Sequence, residues 1–284
     1  MGKARLLLLI ISVFCGSQGS AELYNGVTLA QVRLSDLAAD VSPGTIVLLG
    51  ENHGLKQHRD QHLEVLNILR KNSLKISVGL EFVNYTDQAV LNDYRQQKID
   101  ENEFLKAIGW AGVSFDFYRD QLNFPDPLLG EFSLGLNLPR AVVSHISRNG
   151  LESLTPDELA LMPPQFTLGR DSYRRRFMEA AGVHCKNPEN CFVAQCAWDD
   201  TMANTAVKFL EEHSDHVLVV VVGEFHVQYG GGLKHRILQR RPGTKVVSLS
   251  QIWAEDISDD DVRAAMQPSV EEGPRADFIW VSRP

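Results

Sequence analysis

Two segments place an acid and a histidine directly behind an apolar run. Gly50-Glu51-Asn52-His53 closes the run 45–49, and Gly223-Glu224-Phe225-His226 closes the run 217–222. A third run, 75–80, ends on Glu81, and the stretch 131–140 ends on Arg140. Imidazole and carboxylate together suit two chemistries. One is general acid–base work, with the carboxylate holding the imidazole in a single tautomer. The other is a transition-metal site, for which His53, Glu81 and His226 are the candidate ligands of a divalent ion. Glu51, His53, Glu81, Arg140 and His226 form the candidate catalytic set. Arg140 would fix a substrate carboxylate with its guanidinium fork. The bland alternative is a buried polar network that only fixes strand-end loops, with Arg140 in an ion pair of the same crevice.

These groups act together only if the chain gathers strand ends at one place. Strands are expected at 45–53, 75–82, 131–140, 216–225 and 244–249, with a terminal one at 276–281. Between them, helical spacing or capping signals mark 55–72, 86–97, 100–110, 139–149, 155–162, 169–182, 190–213 and 231–243. Residues 110–131 read as irregular, and the acidic stretch 254–261 as an exposed loop. The alternation predicts an α/β fold: a mainly parallel β-sheet flanked by helices on both faces, with helical insertions, in a single domain over 22–284. The run Val219-Val220-Val221-Val222 fits a central strand buried on both sides. In such sheets the ligand crevice lies beyond the carboxyl ends of the strands, where all the polar groups above would meet. His58 and His62, spaced i and i+4, share one helix face and form a second candidate metal pair. The plainer expectation is that one of the two is exposed.

The 284 residues carry a net charge of −8, which argues against nucleic acid as a partner. Residues 1–21 read as a signal peptide: Lys3 and Arg5, an apolar core from Leu6 to Phe14, then Gly19-Ser20-Ala21 as cleavage site. The run is too short to span a bilayer. An exported, periplasmic protein follows, membrane-anchored only if Cys15 is lipidated. In that oxidising compartment Cys185 and Cys191 are expected to pair across a turn-rich loop, leaving Cys196 buried and free.

The motifs "GENH" (50–53), "GLEF" (79–82), "GLNLPR" (135–140), "AQCAWDDTMA" (194–203) and "GEFH" (223–226), in this order, resemble the ChaN-like family, associated with haem binding and iron uptake. The wider superfamily includes the Tiki proteases and the erythromycin esterases, which share two G-x-x-H motifs with an acid between them. The resemblance carries those roles to His53, Glu81 and His226, with Glu51 as in the esterases. It implies haem and a homodimer that holds it at the interface; the sequence has no C-x-x-C-H motif, so the haem would be non-covalent. Tyr173 or His184 is the expected iron ligand; Arg174 or Arg175 would pair with propionates, and Arg140 could clamp a haem propionate in place of a substrate carboxylate. Two functions remain open: an exported haem-binding protein of iron or haem acquisition, and a metal-dependent hydrolase using the same crevice.

Overall fold

The computed structural model describes residues 21–180 and 185–284. Residues 1–20 of the expected leader, and His184, lie outside them. Ala21 opens the first strand, opposite Ser282.

Eight strands form one sheet: β1 (Ala21–Asn25), β2 (Gln31–Val32), β3 (Ile46–Glu51), β4 (Lys75–Asn84), β5 (Ser133–Asn137), β6 (His216–Gly223), β7 (Val246–Trp253) and β8 (Phe278–Ser282). Their order is β2-β1-β8-β7-β3-β6-β4-β5. The six strands from β8 to β5 are parallel, as the alternating pattern requires. β1 and β2 add an antiparallel edge that the sequence pattern did not announce.

The helices are α1 (Leu34–Ala39), α2 (Lys56–Lys71), α3 (Gln88–Arg95), α4 (Glu101–Ala107), α5 (Arg119–Asn123), α6 (Arg140–Asn149), α7 (Pro156–Leu161), α8 (Asp171–Ala180), α9 (Pro188–Glu212), α10 (Glu224–Val227), α11 (Leu233–Arg240) and α12 (Asp259–Met266). The last corrects the expected acidic loop. Ser258 caps α12 by accepting from Asp261 N–H, and Asp259, Asp260 and Asp261 occupy its first turn. There their charges favour the positive end of the helix dipole. The acidic run is thus a helix start.

Strand pleating explains how one valine run serves two cores. Val217, Val219 and Val221 pack with Val65, Leu66 and Leu69 of α2. Leu218, Val220 and Val222 pack with Met202, Ala206 and Leu210 of α9 and Ile237 of α11. Successive side chains of a strand point to opposite faces, so a strand buried throughout must be apolar throughout. β3 repeats the division: Val47 and Leu49 join the first cluster, Ile46 and Leu48 the second. α2 presents His58, Gln61, His62, Val65, Leu66 and Leu69 as its buried stripe, the i, i+3, i+4, i+7 spacing of an amphipathic helix.

The expected Cys185–Cys191 disulfide is present, and it ties the chain at the start of α9. There Asn187 caps the helix by accepting from Asn190 N–H, with Pro188 in the first turn. Cys196 is buried and free.

Leu48 is fully buried within the second cluster. Leu48→Ala is expected to lower the unfolding free energy by about 2–5 kcal/mol in urea titrations. A loss below ~1 kcal/mol would contradict a rigidly packed central strand.

Candidate functional site

The site grows from the pairing of β3 with β6. Their register sets Gly50 beside Val222 and Glu51 beside Gly223. On the other side of β6, Leu80 of β4 lies beside Val221, so Glu81 follows at the same level. From β3 the chain passes through α2 to β4, beyond β6; from β6 it passes through α10 and α11 to β7, beyond β3. The two connections leave in opposite directions. Such a reversal opens a crevice at the carboxyl end of a parallel sheet.

His53 stands over this edge with its side chain 38% exposed, and its Nδ1 meets Glu51 Oε1 at 2.8 Å. Tyr118 donates its hydroxyl to the same Oε1 at 2.5 Å. The imidazole lies against Gly223, where an added Cβ would come within 3.0 Å of His53 Cε1 and Nε2. The absence of a side chain at Gly223 is what admits the ring. Phe82 meets His53 edge-on at 4.8 Å between ring centres. Burial works against a charged His53, but the hydrogen bond to Glu51 and the field of Glu81 outweigh it and raise its pKa.

Behind His53 lies a second imidazole–carboxylate chain. Glu81 accepts Gly223 N–H at 2.7 Å with one oxygen and faces His226 Nε2 at 3.5 Å with the other. His226 Nδ1 reaches Asp199 Oδ1 at 2.6 Å. Tyr173 donates to Asp199 Oδ2 at 2.6 Å, and the buried Arg236 guanidinium lies 4.0 Å from that oxygen. Gln195 stands 3.2 Å from His226 Nδ1. Burial alone would lower the His226 pKa, yet Glu81 and Asp199 on its two sides raise it to about 10. Burial alone would raise Glu81; the His226 charge, the His53 charge and the Gly223 N–H hold it at about 2. His226 thus lies between two carboxyl groups that favour its charged form.

Glu224, the acid of the second motif, takes a different direction from Glu51. Ser250 donates to Glu224, Gln251 N–H does so at 3.1 Å, and Arg275 at 3.1 Å. It anchors the motif to β7. His58 and His62 brace the first motif. Asn52 N–H donates to His58 Nδ1 at 3.0 Å, and His62 Nε2 reaches Gly50 O at 3.3 Å and Gln251 Oε1 at 3.0 Å. Both are fully buried, correcting the expectation that one is exposed. Burial, helped by the neighbouring His62, pushes the His58 pKa down to about 3, so it stays neutral.

The cleft holds about 550 Å³ and is walled by Phe177, Trp198 and Phe225 around His53, Glu81 and His226. That volume lies in the range of small-molecule sites, roughly 300–1,000 Å³. Glu51, His53, Glu81 and His226 therefore meet, and Arg140 lies in an adjoining hollow with His53 and Glu81. Of the expected haem-binding residues, Tyr173 and Arg174 lie among the described ones. Tyr173 is fully buried with its hydroxyl on Asp199, so the phenol faces the network behind His226. Burial and Asp199 raise its pKa well above the usual phenol range. Arg174 pairs with Glu189 on the surface. Among the described residues no group of three or more His, Cys, Asp or Glu is arranged to hold a metal ion. His53, Glu81 and His226 do not form a free ligand set: both ring nitrogens of His226 face carboxylates, and both oxygens of Glu81 are engaged by Gly223 N–H and His226. Tyr118 and Arg236 enter as supports that the sequence did not mark as such. Asp199 carried a signal, since it follows Gln195 by four residues on one helix face.

An α/β chain with a polar, aromatic-walled cleft at its topological switch is thereby defined. The family model described as "Haem-binding uptake, Tiki superfamily, ChaN" matches residues 37–237, and the chain belongs to that family. A solved structure reported as cofacial haem binding to ChaN of Campylobacter jejuni shares the fold. Its TM-score is 0.68 at 17% identity, over 94% of this chain and 98% of that one. An erythromycin esterase mutant, EreC in its open conformation, aligns with a TM-score of 0.44 at 13% identity over 88% of this chain and 78% of that one. A Bacillus cereus protein aligns with 0.49 at 12% identity over 89% and 92%. No curated protein matches the sequence.

Two titrations of the site act in opposite directions on stability. His226 is raised in the folded chain from 6.5 to about 10, so its contribution is full below pH 6.5 and is lost as pH rises towards 10. Glu81 is lowered from 4.5 to about 2, so its contribution is present above pH 4.5 and is lost as pH falls towards 2. The unfolding free energy should decline from about pH 6.5 to 10, and decline less in His226→Gln. A wild-type curve as flat as the variant's across that window would show that His226 is not held between two carboxylates.

Proposed function

We propose that this is an exported haem-binding protein of iron or haem acquisition, and that the strand-end cleft receives the haem. The observation that carries the reading is the state of His53. Its Nδ1 is committed to Glu51 at 2.8 Å, while the ring remains partly exposed in an aromatic-walled cleft. A carboxylate on one ring nitrogen fixes the tautomer and makes the other nitrogen a better donor. His53 would thus be able to hold haem, which when bound supplies an iron centre open to a nitrogen donor. Phe177, Trp198 and Phe225 offer apolar surface to a flat macrocycle. Glu51 and Tyr118 orient His53, and Phe82 packs at its edge.

This reading puts the iron at His53 and leaves Tyr173 as a support of Asp199. Family membership supports haem binding as such, and the Campylobacter jejuni protein shares the fold. Two such clefts facing each other in a homodimer would cover the outer face of each macrocycle. Export to the periplasm is supported by the leader-like residues 1–21, and the Cys185–Cys191 disulfide suits an oxidising compartment. Anchoring would need a lipid on Cys15.

One observation favours a second reading, hydrolysis. A carboxylate-held imidazole with its other nitrogen open is also the arrangement of a general base towards water. His53 would take the proton, with Glu51 stabilising the resulting imidazolium.

Titration of the mature protein with haemin decides between them. Saturable binding with a shifted Soret band is expected, weakened about tenfold or more in His53→Ala, because one iron ligand is lost. Absence of a saturable shift in the wild type would remove the haem reading.

A further inference from the structure

The crevice has a second lobe of about 210 Å³, bordered by Asn84, Asn137 and Arg140. It is continuous with the main cleft, since His53, Glu81 and Trp198 line both. The charges around the two lobes are unevenly matched. Glu51 has His53 and Tyr118, Glu81 has Gly223 N–H and His226, and Glu224 has Arg275. Arg140 is exposed and, among the described residues, makes no ion pair or hydrogen bond. The only acid in its lobe is Glu81, whose two oxygens are already engaged. The lobe thus presents a free guanidinium and the side-chain amide of Asn137 beside an apolar wall.

We infer that this lobe takes a carboxylate of the ligand. The ligand's flat apolar body lies on Trp198 and Phe225, and its metal or reacting centre lies at His53. The inference rests on the haem reading and deepens it, because it states which end of the cleft receives the propionate edge of the tetrapyrrole. A guanidinium matches a carboxylate with two parallel N–H donors, and the amide of Asn137 lies at hand as a further donor, that of Asn84 being held by Asp87 at 2.7 Å. An exposed Arg–carboxylate pair contributes little in bulk water. Phe82, Leu138 and Trp198 also line the lobe, and a ligand seated on them would shield the pair from water and strengthen it. Arg140 would then set both the orientation of the ligand and the preference for acidic over neutral porphyrins.

The test is a titration of wild type, Arg140→Gln and Arg140→Lys with haemin and with haemin dimethyl ester, whose propionates are uncharged. Circular dichroism confirms that each variant is folded. Arg140→Gln should bind haemin about tenfold or more weaker than wild type. The ester should bind both alike, and Arg140→Lys should fall between, keeping the charge without the fork. If wild type binds haemin and Arg140→Gln binds it equally well, the assignment is wrong while the haem reading stands. If Arg140→Gln weakens haemin and ester to the same degree, Arg140 acts through shape and the carboxylate assignment falls. If wild type binds no haemin, the haem reading fails and takes the assignment with it.

Discussion

The register of β3 against β6 is the constraint on which the site depends. Glu51 lies beside Gly223, so the acid of one Gly-Glu-x-His motif abuts the glycine of the other. Gly223 then has two duties. Its missing Cβ leaves room for the His53 ring, and its N–H holds a carboxylate oxygen of Glu81. A slip of one residue would send every side chain of β6 to the opposite face and place Val222 under His53. The unbroken apolar runs of β3 and β6, divided between two cores, keep that register fixed. Packing far from the cleft thereby determines its geometry.

Burying several charges at one edge is costly unless each is partnered. The chain meets this by interleaving signs and donors. His226 lies between Glu81 and Asp199, and Arg236 stands behind Asp199. Glu224 is neutralised by Arg275 at the β7 side, while neutral His58 and His62 hold the backbone of the first motif. The result is a rigid, hydrogen-bonded floor on which one imidazole, that of His53, is left partly open to the cleft. Rigidity of this kind suits a site that must hold a ligand atom in one place.

Much of the floor was legible in the sequence, and the reason is physical. A strand buried on both faces must be apolar to its last residue, so the switch to Gly-Glu-x-His or to Glu81 marks its carboxyl end. Six parallel strands share that end, and the motifs had to meet. The supports were less legible because they arrive from elements with no pattern of their own. Tyr118 sits between a short 3₁₀ turn and the five-residue α5, and Arg236 lies on α11, which sequence spacing cannot place against Asp199. The antiparallel edge escaped because β2 has two residues and β1 five, too few for a period to show. For Tyr173, an expected iron ligand, one helix repeat does not reveal which face meets a second helix. Its hydroxyl proved to be directed inward, onto α9.

The most direct measurement is a crystal structure of the protein loaded with haemin, with the iron located by its anomalous scattering. The account places the iron at the carboxyl edge of the sheet, against His53 and between the ends of β3 and β6. Iron on an outer helical surface, away from both Gly-Glu-x-His segments, would contradict it.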